Sequence, residues 1–190
     1  MAAGGADIMI SGSTIYGAGP GIEADYGTVN LQTSTVADNA QQGVLVTGGT
    51  ATISDSTIAG TTTAHTDQQD PAYDGYSPGG LVFDRGQVSF ARVRPMIEVA
   101  PGSPITVSGS IVADNTTADC SGTISDGGYN LSGDAKNSCG FSAADNDLIK
   151  TNPKLGGLAD NSGPTLTMMP LAGSPAIDAI ANKQGTCTDG

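Results

Sequence analysis

The apolar and polar positions of this chain repeat with a period of about 22 residues. The clearest sign is a five-residue motif that occurs three times, as Ser-Gly-Ser-Thr-Ile at 11–15, Gln-Thr-Ser-Thr-Val at 32–36 and Ser-Asp-Ser-Thr-Ile at 54–58. Its central serines, Ser13, Ser34 and Ser56, are separated by 21 and 22 residues. A fixed period of this length is typical of a solenoid, in which each repeat forms one rung and buries its apolar face against its neighbours.

Within each rung, short alternating segments predict β-strands. Ile8 and Ile10 alternate with Asp7 and Met9, so the isoleucines are expected to point inward. β-Branched residues fill most apolar positions and no long helical period is present, which favours strands over helices. Three short strands per rung, separated by turns, predict an all-β fold: a right-handed parallel β-helix with about 22 residues per rung and a C-terminal capping segment.

The period is interrupted after the third rung. The apolar position of Val44 recurs at Leu81, and Val88 and Phe90 resume the alternation 37 residues after the first strand of the third rung. This arithmetic predicts an inserted polar loop at residues 61–79, followed by a rung built on Val88 and Phe90. Insertions in a repeat form loops on one face, and these loops often carry function.

The chain is predicted to form one domain. Residues 1–115 are assigned to the rungs and their inserted loop, and residues 116–190 to the last rung and the cap of the same domain. The repeat is already in phase at Ile8, and nothing before it resembles a polar cap. We therefore expect an open solenoid end at the N-terminal rung, available for association with another chain.

Composition argues against a nucleic-acid-binding protein and against a membrane-spanning one. The 190 residues carry a formal net charge of −12 and only seven Lys and Arg, which argues against a nucleic-acid-binding face. No run of 18 apolar residues predicts a membrane span. Cys120 and Cys139 flank a Gly-rich segment and are predicted to form a disulfide, which would indicate an oxidising compartment; two free thiols are the alternative, and Cys187 is left unassigned.

The C-terminal third carries a distinctive series of motifs. They are Asp119-Cys120-Ser121-Gly122-Thr123-Ile124, Gly128-Tyr129-Asn130-Leu131, Asn152-Pro153-Lys154-Leu155, Leu158-Ala159-Asp160-Asn161-Ser162-Gly163-Pro164-Thr165 and Gly173-Ser174-Pro175-Ala176-Ile177-Asp178. Over residues 105–180 this series resembles the bacterial choice-of-anchor Q domain proteins of the pectin-lyase-like β-helix superfamily, although Ser162 and Ile180 occupy positions where that family usually has Gly. The resemblance implies a secreted or cell-surface bacterial protein, and it implies no catalytic residues.

A candidate site follows from the predicted register. Asp55 and Arg92 would occupy the same outward position on adjacent rungs, with Arg94 beside them and His65 on the inserted loop. In β-helix enzymes that act on acidic polysaccharides, a carboxylate moves the proton or holds the metal, and Arg binds a sugar carboxylate. An exposed ion pair is the simpler alternative.

The inserted loop supplies further candidates. Asp67, Asp70 and Asp74 offer oxygen ligands for a calcium ion, although their spacing matches no EF-hand and solvated acidic side chains are the alternative. Tyr73 and Tyr76 are candidate ligand-binding residues on the same loop. No other cofactor is predicted.

Outward threonines recur at the rung spacing. Thr14, Thr35 and Thr57 form one file, and Asn30 and Thr52 belong to a second. Such files suit an ice-binding face, but β-propensity and solubility also explain them. The leading hypothesis is therefore a secreted, non-catalytic adhesin-type or glycan-recognition segment. A polysaccharide lyase or glycoside hydrolase under the loop at 61–79 is the alternative, and ice binding is a minor one.

Overall fold

A computed structural model describes residues 2–5, 7–17, 19–40, 42–60, 81–84, 87–90, 97–99, 105–115 and 118–180. In chain order the strands are β1 Ala2–Gly4, β2 Asp7–Ser11, β3 Thr14–Tyr16, β4 Ile22–Asp25, β5 Thr28–Gln32, β6 Thr35–Ala37, β7 Val44–Thr47, β8 Thr50–Ser54, β9 Thr57–Ala59, β10 Leu81–Asp84, β11 Gln87–Phe90, β12 Ile97–Val99, β13 Ile105–Ser108, β14 Ile111–Ala113, β15 Cys120–Ser121, β16 Ile124–Asp126, β17 Leu131–Ser132, β18 Leu155–Ala159 and β19 Thr167–Pro170. One short 3₁₀ turn, Ala143–Asp145, is the only helical element in these ranges.

The strands stack into a parallel β-solenoid of about four turns, with about 22 residues per turn. Three parallel sheets form its sides. Sheet A has the order β1-β4-β7-β12-β15, sheet B has β2-β5-β8-β13-β16, and sheet C has β3-β6-β9-β14-β17. The predicted fold class is therefore confirmed, because the alternation of apolar and polar residues reports which side of each strand faces the interior.

The core is a stack of aliphatic side chains inside the three sheets. Leu31, Ile53 and Val107 occupy one column of sheet B, and each is fully buried. The column continues at the N-terminal end with Ile10, which is 7% exposed, while Ile8 and Ile15 are only partly buried. Side chains in the middle rungs have a neighbour on both sides, so their burial is complete.

The predicted register after the third rung is wrong. β11 pairs antiparallel with β10, with Val88 opposite Phe83, so no rung is built on Val88 and Phe90. The strand that follows β8 in sheet B is β13, and their pairing places Ile105 opposite Ala51. In sheet A, the partner of Val44 is Ile97 rather than Leu81.

The insertion therefore extends from the end of β9 to the start of β12, and it includes a hairpin of its own. A four-residue alternating segment has the same period whether it pairs within a hairpin or across rungs. Counting residues could not distinguish the two arrangements.

The C-terminal end closes the solenoid and then reverses along it. Leu148 forms a parallel bridge to Leu131, which adds a last short segment to sheet C. The chain then forms the antiparallel hairpin β18–β19, and the Thr14 hydroxyl donates a hydrogen bond to the Leu166 carbonyl oxygen. Because Leu148 lies at one edge of sheet C and Thr14 at the other, the intervening segment spans the length of this sheet.

Candidate functional site

Asp55, the predicted partner of Arg92, lies at a corner of the solenoid between sheets B and C. The residues stacked at this corner all have left-handed backbone conformations, with φ between 44° and 67°: Gly12, Thr33, Asp55, Gly109, Tyr129 and Asn146. Gly, Asn and Asp tolerate this conformation best, which gives Asp55 a structural reason for its position.

Gly109 stands next to Asp55 on the adjacent rung. The Asp55 amide donates to the Ser108 carbonyl oxygen, and a Cβ atom on Gly109 would lie 2.6 Å from Asp55 Oδ1. Partial burial raises the pKa of the Asp55 carboxyl. The predicted placement of Asp55 and Arg92 on adjacent rungs depended on a rung at Val88 and Phe90, which the strand pairing does not show; Arg92 itself lies outside the described residues.

Immediately after this corner, a ladder of buried polar side chains runs the length of the solenoid. The Ser13 amide donates to Ser34 Oγ, Ser34 to Ser56 and Ser56 to Ser110, each at 3.2 Å. Every serine hydroxyl in turn donates to the carbonyl oxygen two residues earlier, as from Ser56 to Ser54 at 2.7 Å. The ladder satisfies backbone groups that the corner removes from the sheets.

At the C-terminal end, larger acceptors replace the serines. The backbone N–H of Ser110 donates to Asn130 Oδ1 at 3.1 Å. The backbone N–H of Asn130 donates in turn to Asp147 Oδ1 at 2.6 Å. Asn130 is 1% exposed and Asp147 is 5% exposed. The ladder therefore ends on a buried carboxyl group.

A second carboxyl group lies against the first. The Ser142 amide donates to Asp126 Oδ2 at 3.0 Å and to Asp147 Oδ2 at 2.9 Å, so one N–H joins the two side chains. Burial, together with the hydrogen bond to Asp126 and the charge of Asp126, raises the pKa of Asp147 to about 6, although the backbone amides of Asn130 and Ser142 act in the opposite direction. Asp126 stands in the inward column of Val107, where the preceding rungs carry aliphatic residues.

Asp119 anchors a neighbouring polar network. Its Oδ2 atom accepts from the Ser132 hydroxyl and from the amides of Gly133 and Asp134 at 2.9 to 3.0 Å. Asp119 is 1% exposed, and burial raises its pKa. The next residue, Cys120, is bonded to Cys139, the pairing expected from the sequence, with 4.8 Å between their Cα atoms. These contacts close the end of the core.

The outer side of sheet C is largely covered, although Tyr16 in its first rung is 55% exposed. Its outward positions combine a Thr file with a file of small residues, Ala37, Ala59 and Ala113, all of which are completely buried. Thr35 is 6% exposed, and Thr14 bonds to Leu166. The file of Thr14, Thr35 and Thr57 points outward as predicted, but it does not form an open surface.

Sheet B has an open outer face. Its central file, in rung order, is Met9, Asn30, Thr52, Thr106 and Ser125, and these side chains are exposed or half-buried. The two flanking files are Asp7, Thr28 and Thr50 on one side and Ser11, Gln32, Ser54 and Ser108 on the other. We call these residues the sheet B face. It is uncharged except for Asp7, although the chain as a whole carries −12.

The remaining predicted site residues lie outside the described part of the chain. They are His65, Asp67, Asp70, Tyr73, Asp74, Tyr76, Arg92 and Arg94. The calcium site and the acidic-glycan site therefore stay predictions. Within the described ranges, no three His, Cys, Asp or Glu side chains come close enough to hold a metal ion.

Three features escaped the sequence analysis, and the sequence carries a periodic signal for two of them. The serines of the repeated motif mark the ladder, and Ala37 and Ala59 share a spacing of 22 residues that marks the covered face. Asp147 carries no periodic signal, because irregular loops separate it from the last regular rung. Only its contact with Asp126 in the structure identifies it.

The fold defines this chain as a parallel β-solenoid with a three-sided core. No family model, no curated protein and no solved structure matches it. Among the described residues there is no helix with the length and hydrophobicity needed to cross a membrane.

Proposed function

We propose that this protein is a non-catalytic, extracellular recognition module that binds neutral glycans on the sheet B face. The observation that carries this proposal is an open side of mostly hydroxyl and amide groups, with Met9 as its large apolar side chain, on an otherwise acidic protein. Parallel rungs place these groups about 4.8 Å apart across the strands. Sugar hydroxyls both donate and accept hydrogen bonds, as Thr, Ser, Asn and Gln side chains do.

The outer faces of sheets A and C are less suited to binding than that of sheet B. The outward Ala37, Ala59 and Ala113 of sheet C are completely buried, and the outward Leu45 of sheet A is 5% exposed. The low charge of the sheet B face favours a neutral ligand over an acidic one, because no cation there could pair with a uronate. The disulfide between Cys120 and Cys139 suits an oxidising compartment outside the cell.

Binding to neutral polysaccharides tests the proposal. The wild-type protein should be depleted from solution by at least one insoluble neutral glycan among cellulose, chitin and mannan. Thr52→Arg places a long charged side chain in the middle of the face and should weaken binding about tenfold or more. Ala135→Arg is the matched control, since Ala135 is exposed on a C-terminal loop and should leave binding unchanged. Equal binding by wild type and Thr52→Arg would contradict the proposal.

An activity assay tests the enzymatic alternative. Incubation with uronic-acid polymers, with and without calcium, would release unsaturated or reducing ends if the protein were a polysaccharide lyase or hydrolase. Product formation that is lost in an Arg92→Ala, Arg94→Ala double variant would favour that class. Unchanged polymer together with binding to a neutral glycan would favour the recognition module.

Ice binding is a second candidate for the same face. Thr52 is exposed, and Thr106 and Asn30 extend its file at the rung spacing. A freezing-point depression that exceeds the melting-point change, and that Thr52→Arg abolishes, would support it. The absence of such a gap at millimolar protein would reject it.

A further inference from the structure

We propose that the carboxyl groups of Asp126 and Asp147 form a pH-sensitive latch, which holds the C-terminal end of the solenoid closed in mildly acidic solution and loosens as the pH rises. The pair lies where the core ends. Asp147 immediately precedes Leu148, which forms the last bridge of sheet C. The inference is independent of the proposed function.

Among the described residues, no cation contacts the pair. The donors that the described part of the chain supplies are all uncharged amides: the backbone N–H groups of Gly128, Asn130 and Ser142, and the Asn130 side chain. Two carboxylates that share one N–H repel each other when both are ionised. A proton held between them removes the repulsion and supplies a further hydrogen bond.

The described segments around the pair bring no opposite charge into contact with it. The ionisable side chains nearby in the chain are Tyr129 after β16, Asp145 on the 3₁₀ turn and Lys150 after Leu148. Asp145 and Lys150 are exposed, and neither side chain hydrogen-bonds to the pair. Strand β13, which packs beside β16, carries no ionisable residue.

Opening this end would expose the carboxyl groups to water. In the folded protein the pKa of Asp147 is raised from 3.8 to about 6, so the closed end binds the proton more tightly than an opened end does. The resulting stabilisation is complete below about pH 4 and is lost as the pH rises through 6. The Leu148 amide, which donates to the Asn130 carbonyl oxygen, reports the closure directly.

Amide hydrogen exchange followed by NMR tests the latch. After correction for intrinsic rates, the protection of the Leu148 amide should fall about tenfold between pH 5 and pH 8. The Ile53 amide in the middle of sheet B should keep the same protection at both pH values. Equal protection of Leu148 at pH 5 and pH 8 would overturn the proposal.

Three variants isolate the pair. Asp147→Asn keeps an acceptor for Asn130 and supplies an N–H toward Asp126, as the protonated acid does, so Leu148 should stay protected at both pH values. Asp126→Asn should flatten the profile in the same way, which provides a second test if one variant folds poorly. Asp145→Asn, which removes a nearby exposed charge, should keep the wild-type pH dependence. A wild-type profile in both pair variants would reject the latch.

Discussion

Sheets B and C are built from the same rungs but have different outer faces. Thr50–Ser54 and Thr57–Ala59 follow one another in the third rung, and both pair in parallel with strands above and below. The outward Thr52 of the first strand is exposed, whereas the outward Ala59 of the second is completely buried. The difference shows that outward positions of a solenoid need not be surface positions.

Side-chain size explains which sheet is covered. A file of Ala side chains leaves room above sheet C for a second layer to pack closely, and burying their methyl groups is favourable. The polar side chains of sheet B would have to give up water on burial, which costs free energy unless every group finds a partner. The contact that the structure shows on this side is the hydrogen bond from Thr14 to the Leu166 carbonyl oxygen.

The strongest way to break this comparison is to place the same charged residue on both sheets. Ala59→Arg should lower the free energy of unfolding by at least about 3 kcal/mol, because it overpacks a buried site and buries an unpaired charge. Thr52→Arg should change it by less than about 0.5 kcal/mol. Urea unfolding followed by circular dichroism measures both. Similar losses in the two variants would mean that sheet C is not covered.

The polar ladder between the two sheets should show an intermediate effect. Ser56→Ala removes the acceptor of the Ser34 amide inside the structure and should cost about 2 kcal/mol, because the buried N–H loses its partner. Ser125→Ala on the sheet B face is the control and should be nearly neutral. Thermal unfolding of the two variants measures these changes in stability. An unchanged stability in Ser56→Ala would show that the ladder does not stabilise the fold.

The smallest expected effect concerns the contact between the hairpin and the first rung. Thr14→Val keeps the side-chain shape but removes the hydrogen bond to the Leu166 carbonyl oxygen, and it should cost about 1 kcal/mol. Thr52→Val makes the same change on the open face and should cost nothing measurable. Hydrogen exchange of amides in β19 should accelerate only in the first variant. Equal acceleration in both variants would mean that the Thr14 hydrogen bond does not hold the hairpin in place.

Much of the solenoid could be predicted from the sequence. The period of Ser13, Ser34 and Ser56 and the alternation around Ile8 and Ile10 reflect local rules, since each rung repeats the same inward pattern. The register failed at Val88 and Phe90 because a short alternating strand can pair with a hairpin partner as well as with another rung. The argument that brought Asp55 and Arg92 together depended on this register, and the site itself stays a prediction because Arg92 lies outside the described residues.

By itself the sequence determined the rung length, the inward residues and the all-β class, since these depend on patterns within one repeat. Only the tertiary structure decided which outward face is open, because the covering contact at Thr14 comes from Leu166, which is 152 residues away. It also decided that Asp126 and Asp147 share one amide donor, since irregular loops separate them from the regular period. Contacts between distant segments depend on packing, and residue spacing does not encode them.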